Sequence, residues 1–178
     1  MLIKIFIIYF LILLNIKAEQ ITLKYDVRFG LFGEVGDVIA TLKIKDSKYK
    51  IEAKLLTTGF VKSITKGRYE VYTSEGKVLN NKLIPLKYTK LKYSKKKYSY
   101  TEYLFNHKDQ EIRKKSENNI KKYLYYSKDD LLTLFINNSQ LIRNLKLDQK
   151  IILKAVGAHK ENGTVNITKI DRNKFTIT

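Results

Sequence analysis

Ile21-Thr22-Leu23-Lys24-Tyr25-Asp26-Val27-Arg28-Phe29 decides the fold class. Apolar and polar residues alternate through it with a period of two, the signature of a strand with one face buried and one face in water. The pattern returns twice. Val38, Ala40, Leu42 and Ile44 alternate with Ile39, Thr41, Lys43 and Lys45; Tyr49, Ile51, Ala53 and Leu55 alternate with Lys50, Glu52 and Lys54. Gly30, Gly33 and Gly36 separate the first two runs as a turn or bulged corner, and Asp46-Ser47 turns between the second and third. Three consecutive antiparallel strands are the simplest reading.

Further on the spacing predicts a short strand over Tyr69 to Thr73, a hairpin turn at Ser74-Glu75-Gly76-Lys77, and a strand from Val78 to Ile84 ended by Pro85, the only proline. Leu86 to Tyr93 and Tyr98 to Phe105 read as a hairpin closed by Ser94-Lys95-Lys96-Lys97. Asn106 to Asp109 turns into a mostly polar strand opened by Ile112, and Lys114 to Lys122 reads as a mobile segment or insertion. One helix is expected, from Asp129 to Ile142, with Ser127 as N-cap and Leu131, Leu134, Phe135, Leu141 and Ile142 on one face. Lys150 to Val156, Val165 to Ile170 and Phe175 to Ile177 are closing strands. The expected architecture is mainly β: a strongly curved antiparallel sheet or partial barrel around one amphipathic helix.

The N-terminus reads as a leader. Lys4 precedes an apolar run, Ile5 to Leu14, that is too short for a bilayer span of about 20 residues but fits a signal-peptide core. Ala18 supplies a small residue for cleavage. Residues 1–18 are thus expected to be a signal peptide and 19–178 a single β-rich domain, periplasmic or envelope-associated after processing. An inner-membrane anchor formed by an uncleaved N-terminus is the alternative. The chain has 178 residues, a net charge of +18 and no Cys, which excludes disulfide scaffolds, thiolate metal sites, a cysteine nucleophile and a lipid-modified cysteine. Its 44% of apolar residues suffices for a core.

The bacterial exported family catalogued as domain of unknown function 3108 is what the chain resembles. The resemblance rests on Tyr25-Asp26-Val27-Arg28-Phe29-Gly30, Gly33-Glu34-Val35-Gly36, the strand from Asp37, Tyr49 to Ala53, Gly59, Ser74-Glu75-Gly76, Pro85 and the helix start Asp130-Leu131-Leu132. It implies an envelope protein with a β-rich fold and offers no catalytic positions to carry over. The lysine load and the segment Asn106 to Lys122 depart from the family pattern.

Catalytic chemistry finds little purchase. His107 and His159 stand in separate turns, where solvated histidines are the rule. Asp129-Asp130 reads as capping acids at a helix start, and Glu34 with Asp37 is the other carboxylate pair. The glycine triplet lacks the following helix and Lys-Ser/Thr of a phosphate loop. No enzyme activity, metal or cofactor is expected.

Two binding readings remain. One is an apolar concavity lined by Tyr25, Val27, Phe29, Val38, Ala40, Leu42, Ile51, Ala53 and Leu55, with Leu131, Leu134 and Phe135 from the helix. It is either a packed core or a lipid-sized cavity. The other is an anionic-surface patch of Lys92, Lys95, Lys96 and Lys97, extended by Lys114, Lys115, Lys121 and Lys122. The interleaved lysines and tyrosines from Lys87 to Tyr103 would suit a nucleic-acid platform in the cytosol, but the leader argues against that partner. Codon bias of an AT-rich genome, or an ordinary amphipathic hairpin with lysines on its outer face, also accounts for them. The expected function is non-catalytic binding of a hydrophobic or amphipathic envelope component, such as a lipid or lipoprotein. The alternative is a structural or interaction module for another envelope protein or an anionic glycan surface, an anionic envelope polymer. The oligomeric state is not legible.

Overall fold

A computed structural model describes residues 19–28, 34–57, 69–94, 97–117, 119–158, 161–172 and 174–177, with the side chains of 19, 23–28, 34–37, 57, 94, 97 and 174 left undescribed. The expected leader, Phe29, Gly30, Gly33, Gly59, Lys95, Lys96 and His159 lie outside the described residues.

Eight strands form one antiparallel sheet in sequence order: β1 (Glu19–Arg28), β2 (Glu34–Lys45), β3 (Lys48–Thr57), β4 (Tyr69–Leu79), β5 (Lys82–Ser94), β6 (Lys97–Asn106), β7 (Glu111–Ser116) and β8 (Asn119–Lys122). A meander of this kind needs only tight reversals. Asp46-Ser47 and Asn80-Asn81 supply two of them, each pair with positive φ at both residues (51° and 56°, 49° and 57°), as two-residue hairpins require. Among the described residues no pairing joins β1 to β8, so the sheet does not close into a barrel.

Three local expectations are corrected. The turn expected at Ser74 to Lys77 falls instead at Asn80-Asn81, and β4 runs straight through Gly76. This glycine serves close approach: a Cβ there would lie 2.0 Å from the Ile84 carbonyl oxygen and 2.9 Å from the Tyr49 ring. Pro85 does not end a strand. It sits inside β5 opposite Gly76, and the register shift at Glu75/Gly76 leaves Leu86 unopposed, a bulge that accommodates a residue without an N–H. Finally, the segment Lys114 to Lys122 is neither insertion nor loose end, because β7 and β8 extend the sheet through it. The bulge expected in the glycine-rich corner is present at Val35, where Val27 pairs with Gly36 and Arg28 with Glu34.

The expected single helix is two, α1 (Leu131–Asn137) and α2 (Ser139–Arg143). Asp130, rather than Ser127, caps α1. Its Oδ1 accepts from the N–H groups of Leu132 and Thr133 (2.8 and 2.9 Å), and Thr133 Oγ1 accepts from the Asp130 N–H (3.0 Å), a reciprocal capping box. The break follows from Asn137 and Asn138, whose side chains compete for backbone groups. Asn138 Nδ2 donates to the Leu134 carbonyl (2.8 Å), while the Asn137 side chain reaches from the last helical position to pair with both the N–H and C=O of Leu83 (2.8 and 2.9 Å).

The closing strands β9 (Lys150–Lys154), β10 (Thr164–Asp171) and β11 (Lys174–Ile177) form a separate three-stranded sheet, with β10 in the centre. Helix α1 is packed on two sides. Leu132 and Ile136 meet the large sheet at Tyr49, Ile51 and Leu83; Leu134 and Phe135 meet Val165, Ile167, Ile151 and Leu153 of the small one. A parallel bridge between Asp130 and Val156 ties the helix start to the end of β9, with Leu131 N–H on the Val156 carbonyl (3.0 Å) and Val156 N–H on that of Asp129 (2.9 Å).

Candidate functional site

Cross-strand partners in an antiparallel sheet share a face, so the register converts sequence into rows of neighbouring side chains. One row of the face covered by α1 runs Val38, Leu55, Glu70, Lys92, Ser99. The next runs Ala40, Ala53, Tyr72, Lys90, Thr101, and a third runs Leu42, Ile51, Ser74, Tyr88, Tyr103, Lys114, Lys121. Each row is apolar on β2 and β3 and carries a lysine farther along the sheet (Lys92, Lys90 and Lys114), with rings at Tyr72 in the second row and at Tyr88 and Tyr103 in the third. Tyr25 pairs with Val38 and Val27 with Gly36, so both hold register positions at the apolar end.

Six of the expected lining residues, Val38, Ala40, Leu42, Ile51, Ala53 and Leu55, are therefore neighbours on one face; Ile51 and Ala53 are buried and the other four half-buried. The three from the helix are not all with them. Leu134 and Phe135 pack against the small sheet, and Leu131 touches both layers. Their place on the large sheet is taken by Leu132 and Ile136. The missed signal was the run Leu131-Leu132-Thr133-Leu134-Phe135-Ile136, apolar on nearly every side, as a helix buried between two layers requires.

The lysines divide likewise. Lys92 and Lys114 stand on the covered face, with Lys121 opposite Lys114 in an exposed position on β8. Lys115 faces the open side, beside Tyr98 and Tyr100, and Lys122 pairs there with Glu111 (3.2 Å). The side chain of Lys97 is not described.

At the junction of the apolar and basic ends lies a group that the sequence showed only as part of the interleaved run from Lys87 to Tyr103. Lys90 Nζ donates to the Gly157 carbonyl (2.5 Å) and stands 6.0 and 5.7 Å from the ring centroids of Tyr72 and Tyr88. Burial pushes its amine down to about 8, Lys92 and Lys114 push the same way, and Glu70 opposes them. Glu70 is itself only 3% exposed; it pairs with Lys92 (3.3 Å) and accepts from the Tyr72 hydroxyl. Tyr88 is fully buried, and its hydroxyl has no hydrogen-bond partner among the described residues. Gly157 seats the chain over this cluster: its φ is +94°, and a Cβ there would meet the Tyr88 ring at 2.5 Å and Lys90 Cε at 2.9 Å. The surrounding wall is aromatic, with Tyr103 stacked on Tyr88 (5.9 Å) and Tyr123 edge-on to Tyr103 (5.1 Å). Two cations, one buried acid and a wall of tyrosines can hold an anionic group.

The acidic pair has a different task. Ser74 Oγ donates to Asp130 Oδ2 (2.5 Å) and accepts from the Tyr49 hydroxyl (2.9 Å). Asp130 is wholly buried, and burial pushes its carboxyl up to about 6 despite these donors. Asp129 Oδ1 accepts from Asn137 Nδ2 (2.6 Å). Asp130 thus ties α1 to β4 through Ser74, while Asp129 holds the Asn137 side chain that bonds Leu83 on β5. His107 is not the solvated turn residue of the sequence reading. Nε2–H donates to the Pro85 carbonyl (2.6 Å), the Tyr126 hydroxyl donates to Nδ1 (2.8 Å), and the ring stacks on Phe105. That tautomer follows from the carbonyl, which can only accept.

Beneath α1 the described side chains fill the space between helix and sheet, with Tyr49, Ile51 and Leu83 all under 5% exposed. No helix among the described residues is long and apolar enough to cross a membrane. Neither a curated protein nor a solved structure matches the chain. A family model does match, over residues 24–132, which takes in β2 to β8 and the start of α1. The chain belongs to the family described as "Protein of unknown function (DUF3108)".

Proposed function

We propose that this is an exported cell-envelope protein that binds, without catalysis, an amphipathic envelope component bearing an anionic group. The apolar part of the ligand lies along Val38, Ala40 and Leu55, and its anionic group meets Lys90 and Lys92. The observation that carries this reading is the register: Ala40, Ala53, Tyr72 and Lys90 form one cross-strand row, so a greasy surface and a desolvated cation are adjacent on one face. The ligand lies beside α1 rather than beneath it, because the space under the helix is filled. Each ligand methylene removed from water contributes about 0.8 kcal/mol, so a single acyl chain supplies affinity without specific polar contacts. An anion at Lys90 offsets the cost of holding that ammonium out of water. Export is supported by the leader-like residues 1–18.

The test uses delipidated 19–178 and a fluorescent fatty acid. Saturable uptake is expected, with a loss of about tenfold or more when Lys90→Gln and Lys92→Gln are combined. Absence of uptake, together with no lipid in native mass spectra of the purified protein, removes the reading.

A further inference from the structure

The opposite face of the large sheet carries its own constellation. Tyr69, Tyr93 and Tyr98 stand directly across from one another on β4, β5 and β6. Their ring centroids are 6.1 Å apart at both steps and their planes differ by 30° and 28°, so the three form a continuous strip. Tyr93 is 44% and Tyr98 66% exposed, unusual for neighbouring rings in contact. The strip runs into a groove of about 330 Å³ lined by Tyr98, Tyr100, Lys115 and Glu117.

We propose that this strip and groove bind a neutral glycan chain of β-linked pyranose rings. A pyranose has an apolar C–H face and a rim of hydroxyls. The C–H face suits the electron-rich face of a tyrosine ring, and successive sugars suit successive rings. The hydroxyl rim needs both acceptors and donors, and Glu117 and Lys115 supply one of each in the groove. The groove lining pairs one base with one acid, Lys115 with Glu117, so it brings no net positive charge to hold a polyanion such as single-stranded nucleic acid. Strand addition has no footing here, since β4, β5 and β6 each pair on both edges. None of these residues belongs to the Lys90 cluster, so this site and the amphipathic-ligand site stand or fall separately.

Calorimetric titration of 19–178 with a soluble hexamer of β-1,4-linked N-acetylglucosamine tests the inference, with an oligodeoxythymidine and anionic phospholipid vesicles run in parallel. Binding of the hexamer is expected, weakened about tenfold by Tyr98→Ala and unchanged by Lys90→Gln. Tyr98→Phe, which keeps the ring, should retain most of the affinity. Tyr98 is mostly exposed, so these variants leave the fold intact. No heat with the hexamer, tighter binding of the oligodeoxythymidine, or full affinity in Tyr98→Ala each overturns it.

Discussion

Lys87 and Lys90 stand three residues apart on β5 and share almost nothing else. Lys87 points to the open face, where Glu75 takes both it and Lys50 at 2.8 and 2.9 Å. The carboxylate raises the Lys87 amine above its ordinary range, and Glu75 is lowered in return. Lys90 points to the covered face, where ring faces and a carbonyl replace water and burial lowers it to about 8. An odd spacing along a strand thus separates a solvated ion pair from a desolvated cation. The same residue type is interchangeable surface on one side of the sheet and part of a specific environment on the other.

If that contrast is right, the covered face is brittle and the open face forgiving. Asp130→Ala should break it hardest. It removes the cap of α1 and leaves the buried Ser74 hydroxyl without its acceptor, for a loss of about 3 kcal/mol in urea unfolding. The same residue has a pH signature. Its folded carboxyl titrates near 6 against 3.8 for the free group, so the folded state keeps the proton longer. Its contribution is therefore full below pH 3.8 and lost as pH rises through about 6, the reverse of the paired Glu75. The Asp130→Asn variant should remove that slope; an unchanged profile would mean that the carboxyl is not desolvated as described.

Next comes Gly157→Ala, expected to cost about 2 kcal/mol through its positive φ and the clash with the Tyr88 ring. It should also disturb the Lys90 site, read as weaker uptake of the fatty-acid probe. Lys90→Met sharpens the comparison further. It should leave stability unchanged or raise it by about 1 kcal/mol, since a buried cation is replaced by an apolar chain of similar shape. Wild type should gain stability relative to the variant as pH rises from about 8 to 10.5, because a folded-state amine near 8 makes the wild type bind fewer protons than its unfolded chain in that window. A parallel difference across the window would show that Lys90 is solvated. The smallest effect is on the open side. Glu75→Gln breaks two partly exposed ion pairs and should cost no more than about 0.5 kcal/mol, less still in high salt.

Period-two alternation made β1 to β3, the β5–β6 hairpin and the closing strands legible from the sequence, because a half-buried strand states its own face. Two turns deceived. Ser74-Glu75-Gly76 has the composition of a hairpin, but Ser74 is a buried donor to Asp130 and Gly76 makes room for Ile84; both are tertiary demands with no local signal. Pro85 was read by its usual habit of ending strands, and the bulge that accommodates it depends on the partner strand. That the residues named on β2 and β3 share one face was legible because alternation groups them. Lys90 reads in the sequence only as one member of the interleaved run from Lys87 to Tyr103, because the contact that sets it apart comes from Gly157, far away in sequence, and α1 reads as having one apolar face because the second sheet that claims its other side follows it in the chain.

A sheet that stays open has two rims, and here they are unequal. On the far rim, β8 is four residues long and exposed, with Lys121 and Lys122 lending it positive charge. Charge and brevity together discourage another chain from joining there. The near rim is β1, ten residues long, with no strand along its outer side among the described residues. The long edge of β1 is thus the more open of the two rims to a second copy or a foreign strand.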